Sequence, residues 1–158
     1  MTTIKTVTAS FTRPNDTTAY AVGDLVANNT TAGSVSPMTF VIPDTGRGIL
    51  IRRAWLRKSG TGITSALFRL HLYRTSSIVC ANGDNGAWST DSVAFYADAC
   101  DITVDRAFTD GAAGFGLPLS GSEINVQQNA LIGVIEARGT YNPSALEVFT
   151  LGLECLFD

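Results

Sequence analysis

A base poised near neutral pH is the first requirement of most acid–base and hydrolytic chemistry, and the chain holds one histidine, His71, between Leu70 and Leu72. In the alternating run from Leu67 to Arg74 it shares a side with Arg69, opposite Phe68, Leu70 and Leu72, which predicts a solvated strand position. Ser120 stands in Leu119-Ser120-Gly121 without the flanking glycines of a nucleophile elbow. Gly60-Thr61-Gly62 lies between two strand-like segments and reads as a hairpin loop, not a phosphate cradle. Asp84, Asp91, Asp98, Asp101, Asp105 and Asp110 crowd one stretch, and oxygen-rich loops can hold calcium. Their spacing fits no EF-hand, and turn or cap roles account for them. Glu123, Glu136, Glu147 and Glu154 fall on different segments, so no paired-carboxylate glycosidase site follows from spacing. These residues predict no catalytic group, no metal site and no cofactor.

Composition narrows the classes further. A net charge of −3 lacks the cationic excess that phosphate neutralisation demands, which argues against nucleic acid. No apolar run is long enough to span a bilayer, and Met1-Thr2-Thr3-Ile4-Lys5 lacks the apolar stretch of a secretory leader, so no membrane role and cytoplasmic synthesis are expected. In that setting the sequons at Asn28 and Asn29 carry no meaning. Cys80, Cys100 and Cys155 show no C-x-x-C spacing and fit reduced thiols, Cys155 on an apolar strand face. Charged residues make up only 16% of the chain, a low share that suits a surface partly covered by another protein.

Period-two alternation identifies the elements that must carry any site. Leu67–Arg74 and Leu146–Phe157 are strands, the second with Phe149, Leu151, Leu153, Cys155 and Phe157 inward. Gly48–Lys58 is apolar in both phases, so it is buried on two faces or changes phase at a bulge near Arg52-Arg53. Ile4–Phe11, Met38–Ile42, Asp101–Phe108 and Asn129–Arg138 complete the strands. Asn82–Gly86 and Gly111–Gly116 read as loops, and Val93–Ala97 as a short helix capped by Ser89 or Thr90. Seven or more strands with almost no helix give an all-β chain, a single antiparallel β-sandwich or barrel.

Phe11–Pro37 is the exception to this periodicity, a polar segment around the island Tyr20–Val26. Weakly patterned chain of that length is expected on a surface or on a neighbour. The division is therefore residues 1–37, an N-terminal strand and extended arm, and 38–158, the sandwich, within one structural domain. As a binding element the arm offers Phe11, Arg13, Tyr20, Asp24, Leu25 and Val26. The basic cluster Arg52, Arg53 and Arg57 adds charge that sets register against an acidic protein, and Trp88, Phe115 and Tyr141 add aromatic anchors.

The run Phe11–Asn28, continuing through Ile49–Leu56, resembles small virion proteins of tailed bacteriophages that decorate or cement heads. That resemblance implies a jelly-roll-like sandwich forming homodimers or homotrimers on the outer head surface, where it stabilises the shell by bridging neighbouring major capsid subunits. The alternative is a receptor- or glycan-binding β-domain of a tail fibre or spike, which needs a shallow pocket built from Trp88, Tyr96 and Tyr141. A small hydrolase, dependent on His71 or an aspartate, is the third reading.

Overall fold

The computed structural model describes residues 3–43, 47–122, 124–126 and 129–157. Glu123 lies outside them. The strands are β1 (Thr3–Thr12), β2 (Leu25–Val26), β3 (Met38–Val41), β4 (Arg47–Lys58), β5 (Leu67–Tyr73), β6 (Tyr96–Phe108), β7 (Gly111–Pro118), β8 (Ile124–Val126), β9 (Ala130–Ala137) and β10 (Val148–Phe157). Every pairing is antiparallel, in the order β1-β10-β4-β7-β6-β5-β9-β2, with β3 also on β9 and β8 on β4.

Cut between β7 and β6, that order gives two layers: β1-β10-β4-β7 and β6-β5-β9 with β2 and β3. With β2 and β3 taken as one interrupted strand, this is the eight-strand, double-Greek-key arrangement of a jelly roll. The chain is therefore an all-β antiparallel sandwich of jelly-roll type. Between the layers lie Phe40, Ile49, Leu56, Phe68, Leu70, Leu131, Ile135, Phe149, Leu151 and Leu153, all fully buried. Gly60–Gly62 belongs to the crossing from β4 in one layer to β5 in the other, so it is not the loop of a hairpin.

The double phase of β4 has a local cause. Glu154 pairs with Arg53 while Cys155 pairs with Ile51, so Arg52 is an extra residue and the strand bulges there. Ile49 and Ile51 face the core before the bulge; Ala54 and Leu56 face it afterwards.

Gly111–Gly116 is a strand and not the expected loop. A Cβ at Gly114 would strike the Thr103 carbonyl, and one at Gly116 the Asp101 carbonyl. Glycine is needed because β6 and β7 press together where the ribbon folds from one layer into the other, a role distinct from turn formation. Val93–Phe95 is a single 3-10 turn, and the helix expected through Ala97 is replaced by β6 from Tyr96 onward.

The extended segment after β1 packs back on the sandwich. It is tied to its own body. Arg13 lies buried, its Nε–H donating to the Tyr20 hydroxyl and its Nη2 2.8 Å from Asp84 Oδ2. Tyr20 Oη donates to Asp84 Oδ1 at 2.7 Å, and the Ala27 N–H reaches the same oxygen at 2.7 Å. Tyr20 N–H bonds the Tyr141 carbonyl, and Leu25 and Val26 pair with Glu136 and Ile135 of β9. Nearby, buried Lys58 Nζ lies 3.1 Å from Glu147 Oε1 and donates to the Tyr141 hydroxyl at 2.7 Å.

Substituting Asp84→Ala removes the buried carboxylate 2.8 Å from Arg13 and leaves that buried charge only the partly exposed Asp16 carboxylate at 3.7 Å. Urea unfolding should show a loss of about 3–5 kcal/mol. At the exposed Arg53–Glu154 pair, Glu154→Gln should leave the unfolding midpoint unchanged.

Candidate functional site

On the outer side of the β1-β10-β4-β7 layer, alternate residues of β7 and the residue just beyond its end point into solvent. They are Phe115, Leu117 and Leu119, exposed at 57%, 69% and 55%. Three large apolar side chains in one row form an exposed ridge. Scattered single residues would need no explanation, whereas a contiguous row marks a contact surface.

β4 supplies one flank. Arg53 Cζ sits 4.6 Å from the centre of the Phe115 ring, and its Nη2 lies 2.8 Å from Glu154 Oε1. Arg57 Cζ sits 4.3 Å above Trp55, whose indole crosses β10 over Gly152 in space that any side chain there would fill. β6 and β5 supply the other flank. Thr103 and Asp101 stand opposite Phe115 and Leu117, and Arg69 grips Asp101 through Nε at 2.6 Å and Nη2 at 2.8 Å. The hydrogen bonds from Arg69 hold the Asp101 carboxyl below its ordinary range, against a smaller opposing effect of burial. An apolar row edged by fixed charges has the anatomy of a protein interface, with a dry centre and a polar rim.

The structure places the sequence-derived interface residues in three groups, exposed, buried and half-buried. Arg52, Arg53, Arg57 and Phe115 are exposed around this ridge. Arg13, Tyr20, Leu25, Val26 and Tyr141 are buried inside the chain's own fold, so they are unavailable to a partner. Their polar or apolar partners lie within the molecule: Asp84 for Arg13 and Tyr20, β9 for Leu25 and Val26, Lys58 and Glu147 for Tyr141. Phe11 is half-buried and stacks on Phe149 at 5.4 Å. Asp24 uses Oδ2 to accept the Ala21 N–H at 2.6 Å, closing a turn. Trp88 lies on the opposite layer. Trp55, Leu117 and Leu119 were missed as contact residues; the outward phase of β4 after the bulge was the available signal for Trp55.

His71 is buried, contrary to its expected solvated place. The outer face of β5 and β9 carries its own small core of Leu25, Tyr73, Ile78, Cys80, Ile132 and Val134, with Trp88 packed against it. Trp88 stacks on the His71 ring at 4.0 Å. His71 Nε2–H donates to Glu136 Oε2 at 2.7 Å, and Nδ1 accepts from the Tyr96 hydroxyl at 2.9 Å. Burial lowers the His71 pKa more than Glu136 raises it, so the imidazole stays neutral.

The aspartates are dispersed. Asp84 binds Arg13, Asp101 binds Arg69, and Asp98 accepts the Ala99 and Ser120 N–H groups and the Ser120 hydroxyl. Burial pushes Cys80 up to about 11 and Cys100 and Cys155 up to about 12, so all three are held as thiols.

No family model matches the chain, and no curated protein does. Solved structures with similar coordinates include the decameric BFDV capsid protein, at 12% identity over all of both chains and a TM-score of 0.37. The capsid of the cyanophage Pam1 aligns at 12% identity over 99% of this chain and 85% of that one, with a TM-score of 0.37. The capsid of the Ralstonia phage GP4 aligns at 14% over 99% and 84%, with a TM-score of 0.40. Likenesses this distant identify neither a family nor an activity. The class of the protein, a jelly roll, stands on the strand order itself.

Because folded His71 resists protonation, the unfolded chain takes up a proton that the folded chain does not once the pH falls below about 6.5. Stability should therefore decline on acidification from that point, and His71→Gln should flatten the decline in urea midpoints measured between about pH 8 and about pH 5. The stability supplied by the Arg69–Asp101 bond is separate: it starts to fall near pH 3.8, where an unfolded aspartate titrates, and the bond itself breaks below that, where the folded carboxyl takes up its proton.

Proposed function

We propose that this chain is a non-enzymatic virion structural protein that decorates and stabilises the outside of a phage head by bridging neighbouring major capsid subunits. The observation that carries the reading is the ridge Phe115, Leu117 and Leu119 between Arg53–Glu154 and Arg69–Asp101. Apolar rows of this kind bind protein, and arginine and tryptophan beside them are the residues most often found at energetic centres of interfaces. The sequence resemblance of Phe11–Asn28 to phage head proteins supports the choice of partner. The docked segment changes the mode of attachment: contact is made by the rigid sheet face and not by a loose arm.

Ligand linkage supplies the stabilisation. A subunit that binds the expanded shell more tightly than the unexpanded one shifts the shell toward expansion, and many copies multiply a weak individual contact. Self-association as a dimer or trimer would raise that avidity.

The purified protein should co-sediment with expanded heads lacking it. Leu117→Asp, which sets a carboxylate into the ridge beside Asp101, should weaken binding at least about tenfold with an unchanged melting temperature. Arg57→Glu should act the same way. Equal binding by both variants, or no binding by the parent protein, would remove this reading.

A further inference from the structure

The opposite layer holds a recess of about 320 Å³, lined by His71, Tyr73, Trp88, Thr90, Val93 and Tyr96. It is distant in character from the ridge: it is concave, aromatic, and without a charged side chain in its lining. We propose that it is a binding site for a single neutral sugar ring, a hexopyranose or the terminal hexopyranose of a glycan.

The walls are fixed before any ligand arrives. Trp88 is stacked on His71 with 13° between the rings, and its backbone N–H bonds the Gly23 carbonyl at 2.8 Å. Tyr96, 40% exposed, meets Tyr73 edge to face at 5.4 Å and spends its hydroxyl hydrogen on His71 Nδ1. Rings locked in this way lose little freedom on binding, which is the condition for a small ligand to be held at all.

Chemistry selects among ligands. Glu136, the charge nearest His71, is already occupied by His71 and by Arg138 Nη1 at 2.9 Å, so an ionic ligand finds no free counter-charge in the lining. A purely apolar ligand would leave polar atoms unmatched. Tyr96 Oη retains acceptor capacity beside the hydrogen it gives to His71, and the Thr90 hydroxyl, which accepts the Ser92 N–H at 3.2 Å, adds a second polar group to the lining. A pyranose presents C–H groups to aromatic faces and hydroxyls around its rim, matching both features. The volume lies at the small end of the roughly 300–1,000 Å³ usual for ligand clefts, which favours one ring over an extended chain.

Indole fluorescence of the intact chain tests this, with neutral hexoses, glucuronate and cyclohexanol as probes. Neutral hexoses should give a saturable change with a dissociation constant of about 1 mM, as expected for so few contacting atoms. The change should persist in Trp55→Phe and vanish in Trp88→Phe. Tyr96→Ala should weaken it at least about tenfold, and Tyr96→Phe, which keeps the ring, should weaken it less. Saturation-transfer NMR on Trp88→Phe reports binding where that variant has lost its optical signal. Cyclohexanol binding as tightly as hexose, glucuronate binding more tightly, full retention in Tyr96→Ala, or no saturation by any hexose would each overturn the proposal. None of these readouts involves heads, so they are independent of the virion reading.

Discussion

One buried cation determines how the rest of this molecule can be arranged. Arg13 leaves β1 and enters the interior, where Asp84 and Tyr20 meet its guanidinium and the Asp16 and Ser144 carbonyls lie 3.4 and 3.3 Å from Nη1. A charge taken out of water is tolerable only with such complete surroundings. These partners come from three parts of the chain, so satisfying Arg13 brings the segment after β1, the loop before Trp88 and the connection into β10 to one place. Desolvation of the phenol and the adjacent Asp84 charge raise the Tyr20 pKa far above its usual value, keeping its hydroxyl hydrogen in place to donate. Lys58, Glu147 and Tyr141 repeat the same trio of cation, carboxylate and phenol a short distance away, where burial lowers the lysine pKa and the carboxylate opposes that fall.

This arrangement explains why polar chain covers the outer face of β5 and β9. Asp84 also accepts the Ala27 N–H, and its own N–H bonds the Asn29 carbonyl, so the loop and the segment after β1 are sewn together. Gly83 packs against the backbone of Thr30 with no room for a side chain. Under that cover lie Leu25, Ile78 and Cys80, and His71 becomes an interior residue of a strand that reads as half-solvated. The two faces of the molecule are thereby made different: one layer is bare and carries the apolar ridge, while the other is upholstered and carries the aromatic recess.

The strands were legible wherever burial followed a period of two. β10 has its inward set as the alternation requires, and the double phase of β4 admits burial on two faces or a bulge near Arg52-Arg53, of which the bulge is found. The jelly-roll order was not readable from the strands alone, since nothing local says that β1 pairs with β10, their residues lying some 140 positions apart. Long-range ion pairs were hidden for the same reason. Arg13 and Asp84 look like surface charges until the fold brings them within 2.8 Å, which turned five supposed contact residues into internal ones. Glycine misled in a different way: in β7 it serves close packing of strands, and composition alone cannot separate that from a turn. The ridge was half visible, through Phe115 and the arginines, because its apolar rows depend on that misread strand.

The placement of β7 bears on how force would travel through the molecule. It is hydrogen-bonded on one side to β4 and on the other to β6, so the residues that would be tugged by a neighbour sit mid-sheet and not on a free margin. Traction on Phe115 or Leu117 would load many amides sideways at once, in shear across both layers, with no single strand free to peel. A partner seated there would be gripping an interior strand and not an edge.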